Sequence, residues 1–372
     1  MLKIAVCAGE KSGDALGHEL LVDLKENIEN LEIIGVGGSL MENEGLKSFF
    51  PIKEISYMGL IDPLLNLRKI LKIRKNFINF LKKENPDVFI GIDSPSFNSG
   101  ICKALRRDTN IKTVQYVCPQ FWAWRYGRVH KFNSLYHGVF SLFPFESSLL
   151  KKHNVNFSYV GHPLAKNLSV DSNEEELKKS LGIPLDKKVI AILPGSRKSE
   201  IFHHSKPLAD FINAYKKQNA DVEIILALNK ESDLFGELKQ LSNKISVIYD
   251  STQKVLGSCD MAIVASGTAT LEAAILAKPM VVIYKSNNLS NFILSNFFLK
   301  TKFISLPNIL SQEKIVFELR QNQVSGKEIS EKVELTFKNQ EVISNKLSLI
   351  RDSLLVTDSD KFSIALKEIL AK

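Results

Sequence analysis

Short apolar runs recur along the chain, each closing on glycine or small polar residues and each followed by a stretch with helical spacing. Leu2 to Ala8 reads as a first strand, ahead of Gly9-Glu10-Lys11-Ser12-Gly13-Asp14 and a helix predicted from about Ala15. A second strand ends at Gly35-Val36-Gly37-Gly38, and Val88 to Ile92, Thr113 to Val117 and Gly138 to Phe143 continue the series. Continuous apolar strands separated by helices mark a parallel sheet covered on both faces. The second half repeats the scheme. Val189 to Leu193 leads into Pro194-Gly195-Ser196-Arg197, and Val222 to Leu228, Ile245 to Tyr249, Met261 to Ala265 and Met280 to Tyr284 follow. Two consecutive doubly wound α/β domains are therefore predicted. Polar residues cluster from Gly161-His162-Pro163 to Asp171, which sets the domains at 1–165 and 166–345. Beyond Asn308 the chain is predicted helical to its end, with apolar spacing at Ile329, Val333 and Phe337 and at Phe362, Leu366, Ile369 and Leu370. Residues 346–372 are expected as C-terminal helices, with packing back on the first domain as one option.

Ligands of open parallel sheets bind beyond the carboxyl ends of the strands, so two such domains facing a cleft would place chemistry in the post-strand turns. Gly9 to Asp14 opens a helix with glycines that let backbone amides approach an anion, although an ordinary tight turn fits equally. It is not a P-loop. Leu40 stands where Gly35-Val36-Gly37-Gly38 would need a last glycine, so no dinucleotide cofactor is indicated. Asp93 follows the strand Val88 to Ile92 directly, where a carboxylate can act as general base toward a hydroxyl or can shape the turn before Pro95. Arg197 could hold a pyrophosphate in the second domain. Ser266-Gly267-Thr268 offers close amide contact to phosphate, and Glu272 can accept hydrogen bonds from ribose hydroxyls, with helix capping as the plainer role. Tyr116 to Arg128, YVCPQFWAWRYGR, concentrates both tryptophans beside arginines, either as a binding surface or as a satellite core.

Charge narrows the choice of partner. The 372 residues carry 49 Lys+Arg against 41 Asp+Glu, a net +8, which suits nucleic acid, an anionic membrane surface or phosphorylated ligands. No recognised nucleic-acid-binding motif appears. No apolar run reaches the ~18–20 residues that cross a bilayer. Seven of the cations lie in Leu64 to Lys83, which holds no acidic residue and alternates them with an apolar stripe. That segment reads as a covering helix with a solvated basic face or as a membrane-surface helix. A second apolar candidate is Phe292 to Leu299. Cys7, Cys102, Cys118 and Cys259 are too scattered for a metal or redox motif and read as buried thiols of a reducing compartment, with the cytoplasm as the default location. His203-His204 lacks metal-site spacing, and Asp358-Ser359-Asp360 reads as a helix cap.

The ordered series GEKSGD, MGL, GIDSPSFN, YVCPQFWAWRYGRV, FPFE, VGHPL, LPGSRKSEI, ASGTATLEA, KPMVVIYK and SLPNIL closely resembles the lipid A disaccharide synthase family, from Ala5 to about Leu310. The resemblance implies a GT-B architecture and an inverting glycosyltransferase of Gram-negative lipid A biosynthesis. It implies UDP-2,3-diacylglucosamine as donor, the 6-hydroxyl of 2,3-diacylglucosamine 1-phosphate as acceptor, and no metal or other cofactor. Asp93 takes the family's base position and Arg197 its essential-arginine position. Gly195, Ser196, Ser266, Gly267, Thr268 and Glu272 would hold UDP, while Glu10, Ser12 and Gly13 border sugar and phosphate. Asn98 and Asn308 belong to matching segments and are assigned to binding. The family usually carries a second Asp where this chain has Ser96, so a role needing a paired carboxylate there does not carry over. Met58, Leu60, Ile61, Leu64, Leu67, Arg68, Lys69, Leu71 and Lys72 are the expected contacts to the cytoplasmic face of the inner membrane, the protein binding peripherally, and a homodimer is compatible. The rival readings are another UDP-GlcNAc-dependent GT-B enzyme, of the undecaprenyl-linked GlcNAc transferase or UDP-GlcNAc 2-epimerase type, and a basic membrane-tethering or nucleic-acid module.

Overall fold

Buried parallel strands carry the architecture. The computed structural model describes residues 1–56, 66–122, 126–168, 173–229, 236–241, 244–286 and 302–371. Contacts divide the chain into one unit of Met1–Pro163 with Val356–Lys372 and another of Leu164–Leu355. In the first, β1 (Leu2–Ala8), α1 (Lys11–Asn27), β2 (Leu31–Val36), α2 (Ser39–Asn43), β3 (Lys47–Ser48), α3 (Leu67–Glu84), β4 (Val88–Ile92) and α4 (Pro95–Asp108) come in order. They are followed by β5 (Lys112–Tyr116), α5 (Phe132–Leu135), β6 (Gly138–Ser141), α6 (Pro144–Lys152) and β7 (Phe157–Tyr159). The sheet order is β3-β2-β1-β4-β5-β6-β7, all parallel.

The second unit contains α7 (Glu174–Ser180), β8 (Lys188–Leu193), α8 (Lys198–Gln218), β9 (Val222–Leu228), β10 (Ser246–Tyr249), α9 (Thr252–Ser258), β11 (Met261–Ala265), α10 (Thr268–Ile275) and β12 (Met280–Tyr284). Then come α11 (Leu306–Ser311), β13 (Phe317–Arg320), α12 (Gly326–Lys338) and α13 (Gln340–Leu354). Its order is β10-β9-β8-β11-β12-β13, again all parallel. Both sheets are doubly wound, as the alternation of short apolar strands and helices predicts. The strand order reverses between β1 and β4 and between β8 and β11, and at such switch points the helices diverge to opposite faces and leave a crevice. Register fixes which turns border it: Ala8 pairs with Ile92, and Leu193 with Val264. Gly9 and Asp93 therefore emerge side by side in one unit, and the Gly195 and Ser266 turns in the other.

Several expectations need correcting. The stretch after Asn308 is not all helix, because β13 adds an edge strand to β12, its Phe-Glu-Leu-Arg alternation too short to register as a strand. The edge strands β3 and β7, of two and three residues, escaped notice for the same reason. Helix α1 starts at Lys11, inside the glycine turn. The chain changes unit at Pro163/Leu164, and the second boundary lies at Leu355/Val356, not at 346, so α13 stays with the second unit. Only the last helix, α14 (Lys361–Leu370), lies in the first unit.

Packing shows why α14 belongs there. Phe362 sits edge-on to Tyr116 with ring centroids 5.0 Å apart and 5.7 Å from Phe140, and Ile369 fills the space that a side chain at Gly138 would take. The cap of α14 also differs from expectation: Asp360 makes no side-chain cap bond. Instead Asp23 of α1 accepts the Phe362 and Ser363 amides at 3.0 and 2.9 Å, filling the positive helix end from across the fold. Burial raises the Asp23 carboxyl above its ordinary value, and the two amides offset that only partly. Asp23→Ala leaves both amides unpaired but relieves the desolvated carboxylate, so a net loss of about 1–3 kcal/mol is expected. Urea unfolding would measure it, and hydrogen exchange should show residues 361–370 losing protection first.

Candidate active site

In the first unit the crevice is shaped by a strained turn. Asp93 and Ser94 both have positive φ, 49° and 40°, a conformation that costs a non-glycine residue energy and so must be held by its surroundings. Asn98 of α4 donates through Nδ2 to the Asp93 carbonyl at 2.9 Å, and Gln115 of β5 donates to the same oxygen at 3.0 Å. Asn98 is fully buried and also reaches the Cys7 and Ile92 carbonyls at 3.3 and 3.4 Å. Its place is therefore behind the turn, where it ties the ends of β1 and β4 to Asp93. Only glycine fits at position 9, because an added Cβ would lie 2.0 Å from the Ser94 hydroxyl oxygen.

Burial raises the Asp93 carboxyl above the usual range, while the Ser94 amide and the Glu10 side chain pull it back. Ser96, where the family's second Asp would stand, is exposed on the first turn of α4. The side chain that acts on the Asp93 carboxyl thus comes from the GEKSGD turn. Ser12 is exposed and Gly13 buried, the latter packing against Ala8 and the Ile92 carbonyl. The last residue of that motif has a separate task. Asp14 accepts the amides of Gly38, Leu40 and Met41 at 2.8, 3.1 and 3.2 Å, so the helix start after the second strand is already occupied by a carboxylate.

The aromatic motif is anchored on a buried acid. Trp122 donates its indole N–H to Glu146 at 3.1 Å and lies edge-on to Phe145, while the other Glu146 oxygen accepts the Phe143 amide at 3.3 Å. Trp122 therefore serves as a packing residue, and Trp124 and Arg125 lie outside the described residues.

The second unit holds a cavity of about 690 Å³ beyond the ends of β8, β9, β10 and β11. Gly195, Ser196, Arg197, Ser266, Gly267, Thr268 and Glu272 all line it. Gly195 has φ +126°, and a Cβ there would lie 2.7 Å from that of Glu200. Glu200 folds back so that one oxygen accepts the Ser196 and Arg197 amides at 3.1 and 3.3 Å and the other meets the Arg197 guanidinium at 2.9 Å. The Arg197 side chain is 67% exposed. Two amides and a guanidinium turned toward one carboxylate form the arrangement that also binds phosphate. His204, deeper in α8, braces this loop: its Nδ1–H donates to the Pro194 carbonyl at 2.6 Å and its Nε2 accepts the Lys285 amide at 3.0 Å. Burial lowers its pKa, which keeps the ring neutral and both bonds in place.

On the facing turn Ser266 donates to the Ile304 carbonyl at 2.7 Å. Glu272 receives a 3.3 Å bond from Gln253, and burial raises its carboxyl above the ordinary value. Asn308 is not brought into the cavity. It is buried, donates to Val316 and Glu318, and accepts the Ile315 and Val316 amides at 2.7 and 2.9 Å, holding α11 to the start of β13. Lining residues that sequence reasoning missed are Asn229, Asp250, Thr252, Gln253 and Lys254, which follow β9 and β10. The carboxyl-end rule applied to those two strands would have found them.

Met58, Leu60, Ile61 and Leu64, and Phe292 to Leu299, lie outside the described residues. Of the remaining expected lipid contacts, Leu67 and Leu71 are 49% and 42% exposed, and Arg68, Lys69 and Lys72 are exposed. Farther along α3, Phe77 and Leu81 are fully buried. The helix is thus a covering helix at its C-terminal end and open to the surroundings at its start. Among the described residues, no helix is long and apolar enough to cross a membrane, and no group of three or more His, Cys, Asp or Glu side chains is placed to hold a metal ion.

Two Rossmann-like sheets, the second with a glycine loop and a cavity at its switch point, define a protein of the GT-B fold. The solved UDP-GlcNAc 2-epimerase from Neisseria meningitidis bound to UDP-GlcNAc superposes over 100% of both chains with a TM-score of 0.68 at 12% identity. A glycosyltransferase from Rickettsia africae ESF-5 covers 100% of this chain and 98% of its own with a TM-score of 0.54 at 15% identity. At such identities the likeness is one of fold. Sequence is more specific: the family model for lipid-A-disaccharide synthetase matches residues 4–368, and the chain belongs to that family. The lipid-A-disaccharide synthase of Colwellia psychrerythraea strain 34H is 36% identical over 376 residues, 99% of this chain and 94% of that protein. That of Pseudomonas syringae pv. tomato is 38% identical over 327 residues, 87% and 86% of the two chains. The chain is a glycosyltransferase of lipid A biosynthesis.

Glu146 makes the motif pH-sensitive. Burial raises its carboxyl from 4.5 to about 7, against smaller opposing effects of Trp122 and the Phe143 and Leu142 amides. Across that window the folded state keeps a proton that the unfolded chain gives up, so its contribution falls as pH rises from 4.5 and is lost above about 7. Glu146→Gln should flatten the dependence of Tm on pH over the same interval. An unchanged slope in thermal melts would show that Glu146 titrates normally.

Proposed function

We propose that the protein transfers 2,3-diacylglucosamine from UDP-2,3-diacylglucosamine to the 6-hydroxyl of 2,3-diacylglucosamine 1-phosphate, giving the β-1,6-linked disaccharide 1-phosphate and UDP. The observation that carries the reading is the cavity in the second unit, where the Gly195–Arg197 loop, the Ser266–Thr268 turn and Glu272 converge. Family membership supplies the substrate class, and the GT-B epimerase or another UDP-GlcNAc enzyme has no comparable support in sequence. In this reading the diphosphate replaces the Glu200 carboxylate on the Ser196 and Arg197 amides and on the guanidinium, and Glu272 takes the ribose hydroxyls. Arg197, rather than a metal ion or other cofactor, then supplies positive charge as the C1–O bond to UDP breaks.

In the first unit Asp93 is the base. Its ionised carboxylate accepts the proton of the acceptor hydroxyl while that oxygen attacks C1, and a single displacement turns an α-glycoside into a β product. A carboxylate raised by burial takes the proton more readily than an ordinary one, at the cost of being protonated at higher pH. Glu10, Ser12 and Gly13 border sugar and phosphate from the neighbouring turn. The exposed Leu67 and Leu71, beside the exposed cations Arg68, Lys69 and Lys72, support peripheral contact with the cytoplasmic face of the inner membrane.

Asp93→Asn should keep the fold and lose on the order of 10²–10⁴ in kcat in a radiolabelled transfer assay. Near-normal turnover by the folded variant removes Asp93 as base. Arg197→Ala should lose roughly 10²–10³. In the wild type, the acid limb of kcat/KM against pH should lie above that of an unperturbed carboxylate. Equal turnover of plain UDP-GlcNAc and its diacyl form would defeat the lipid A assignment.

A further inference from the structure

A second cavity, of about 820 Å³, lies in the first unit among α3, α4 and α5 and shares no lining residue with the Asp93–Ser94 turn. Arg74, Lys103, Arg106, Arg107 and Lys131 line it together with serine hydroxyls, and no Asp or Glu contributes to the lining. Its counter-charges are few. Arg107 is paired with Asp108, which also binds Lys82, both at 2.6 Å. Arg106 donates to the Asn133 carbonyl at 3.0 Å and contacts the His137 ring. Among the described residues Arg74, Lys103 and Lys131 have no ion-pair partner. Burial, with Arg106 and Lys112 next, lowers the His137 pKa to about 4.

Arg74 lies against Gly100 of α4, its guanidinium resting over the bare glycine at the wall of the groove. Positions 67, 71 and 74 of α3 follow one another at i, i+4 and i+7 and share a face of the helix. The stripe that begins with the exposed leucines therefore runs into the cationic groove. Positive charge beside exposed apolar side chains matches a molecule that is anionic at one end and apolar at the other.

We propose that this groove binds the phosphate headgroup of an anionic phospholipid, with Leu67 and Leu71 meeting the acyl region. The inference rests on the peripheral-membrane reading above and adds a site to it. A soluble phosphate would use the same cations but would gain nothing from the leucines.

Sedimentation of the full-length protein with vesicles tests it, using phosphatidylcholine alone and phosphatidylcholine mixed with phosphatidylglycerol. The variant Arg74→Gln/Lys103→Gln/Lys131→Gln should bind the phosphatidylglycerol vesicles at least about tenfold more weakly than wild type, since each cation near an anionic surface contributes several-fold. Binding to pure phosphatidylcholine, thermal unfolding and turnover in detergent should not change. Lys103→Glu, at an exposed position, is the second arm and should show the same preference in smaller measure. Equal binding of wild type and variants to phosphatidylglycerol overturns the groove and leaves the membrane reading intact. Failure of the wild type to sediment with either vesicle overturns the membrane reading and the groove with it. If inorganic phosphate raises the Tm of wild type alone, at concentrations that leave vesicle binding intact, the groove serves a soluble phosphate and the lipid assignment is overturned.

Discussion

A strand buried on both faces has no side open to a ligand, and β1, β4, β8 and β11 are buried almost throughout. Such strands can present chemistry only at their ends. Where the strand order reverses, neighbouring connections leave to opposite faces, and the turns at those ends are the only backbone left to line an opening. The Asp93 turn of the first unit and the cavity of the second both follow from this constraint. It places Gly9, Glu10 and Asp93 at one reversal and Gly195, Arg197 and Ser266 at the other, because the registers Ala8–Ile92 and Leu193–Val264 bring those turns level.

What fills the openings is mostly negative charge from the protein itself. Asp14 occupies the amides at the start of α2, Asp23 those of α14, and Glu200 those of the Ser196–Arg197 loop. The three differ in what surrounds them. Asp14 and Asp23 are buried, at 6% exposure each, and act as permanent parts of the fold. Glu200 lies on the wall of an open cavity beside an exposed arginine, where an incoming anion can take its place. The same bond thus serves as a rivet in two positions and as an exchangeable ligand in the third.

Sequence reveals most of this frame, and the omissions have a common origin. Central strands are legible because burial on both faces demands unbroken apolar runs, and β1, β4, β9, β11 and β12 are read to the residue. Edge strands such as β3, β7 and β13 meet no such demand and carry no comparable mark. Asp93, Arg197 and Glu272 stand out because each lies in or just beyond a post-strand turn. The approach of the Gly9–Glu10 turn to the Asp93–Ser94 turn is invisible for a different reason, since the two lie over eighty residues apart and meet only through the register of β1 against β4. Asn98 and Asn308 illustrate the limit of motif reading. Both lie in segments shared with the family, yet each spends its hydrogen bonds on carbonyls and amides of its own fold.

The placement of α14 has a consequence for how the protein is made. Its Phe362 and Ile369 complete packing against Tyr116, Phe140 and Gly138, which are synthesised more than two hundred residues earlier. A ribosome emitting the chain in order releases the whole second unit before the first has its final side chains. The N-terminal sheet must therefore wait with one face incomplete, and for that interval a nascent chain exposes apolar surface that the finished protein never shows. Birth order and fold order run against each other here, which makes the ten residues of α14 a timing element as much as a structural one.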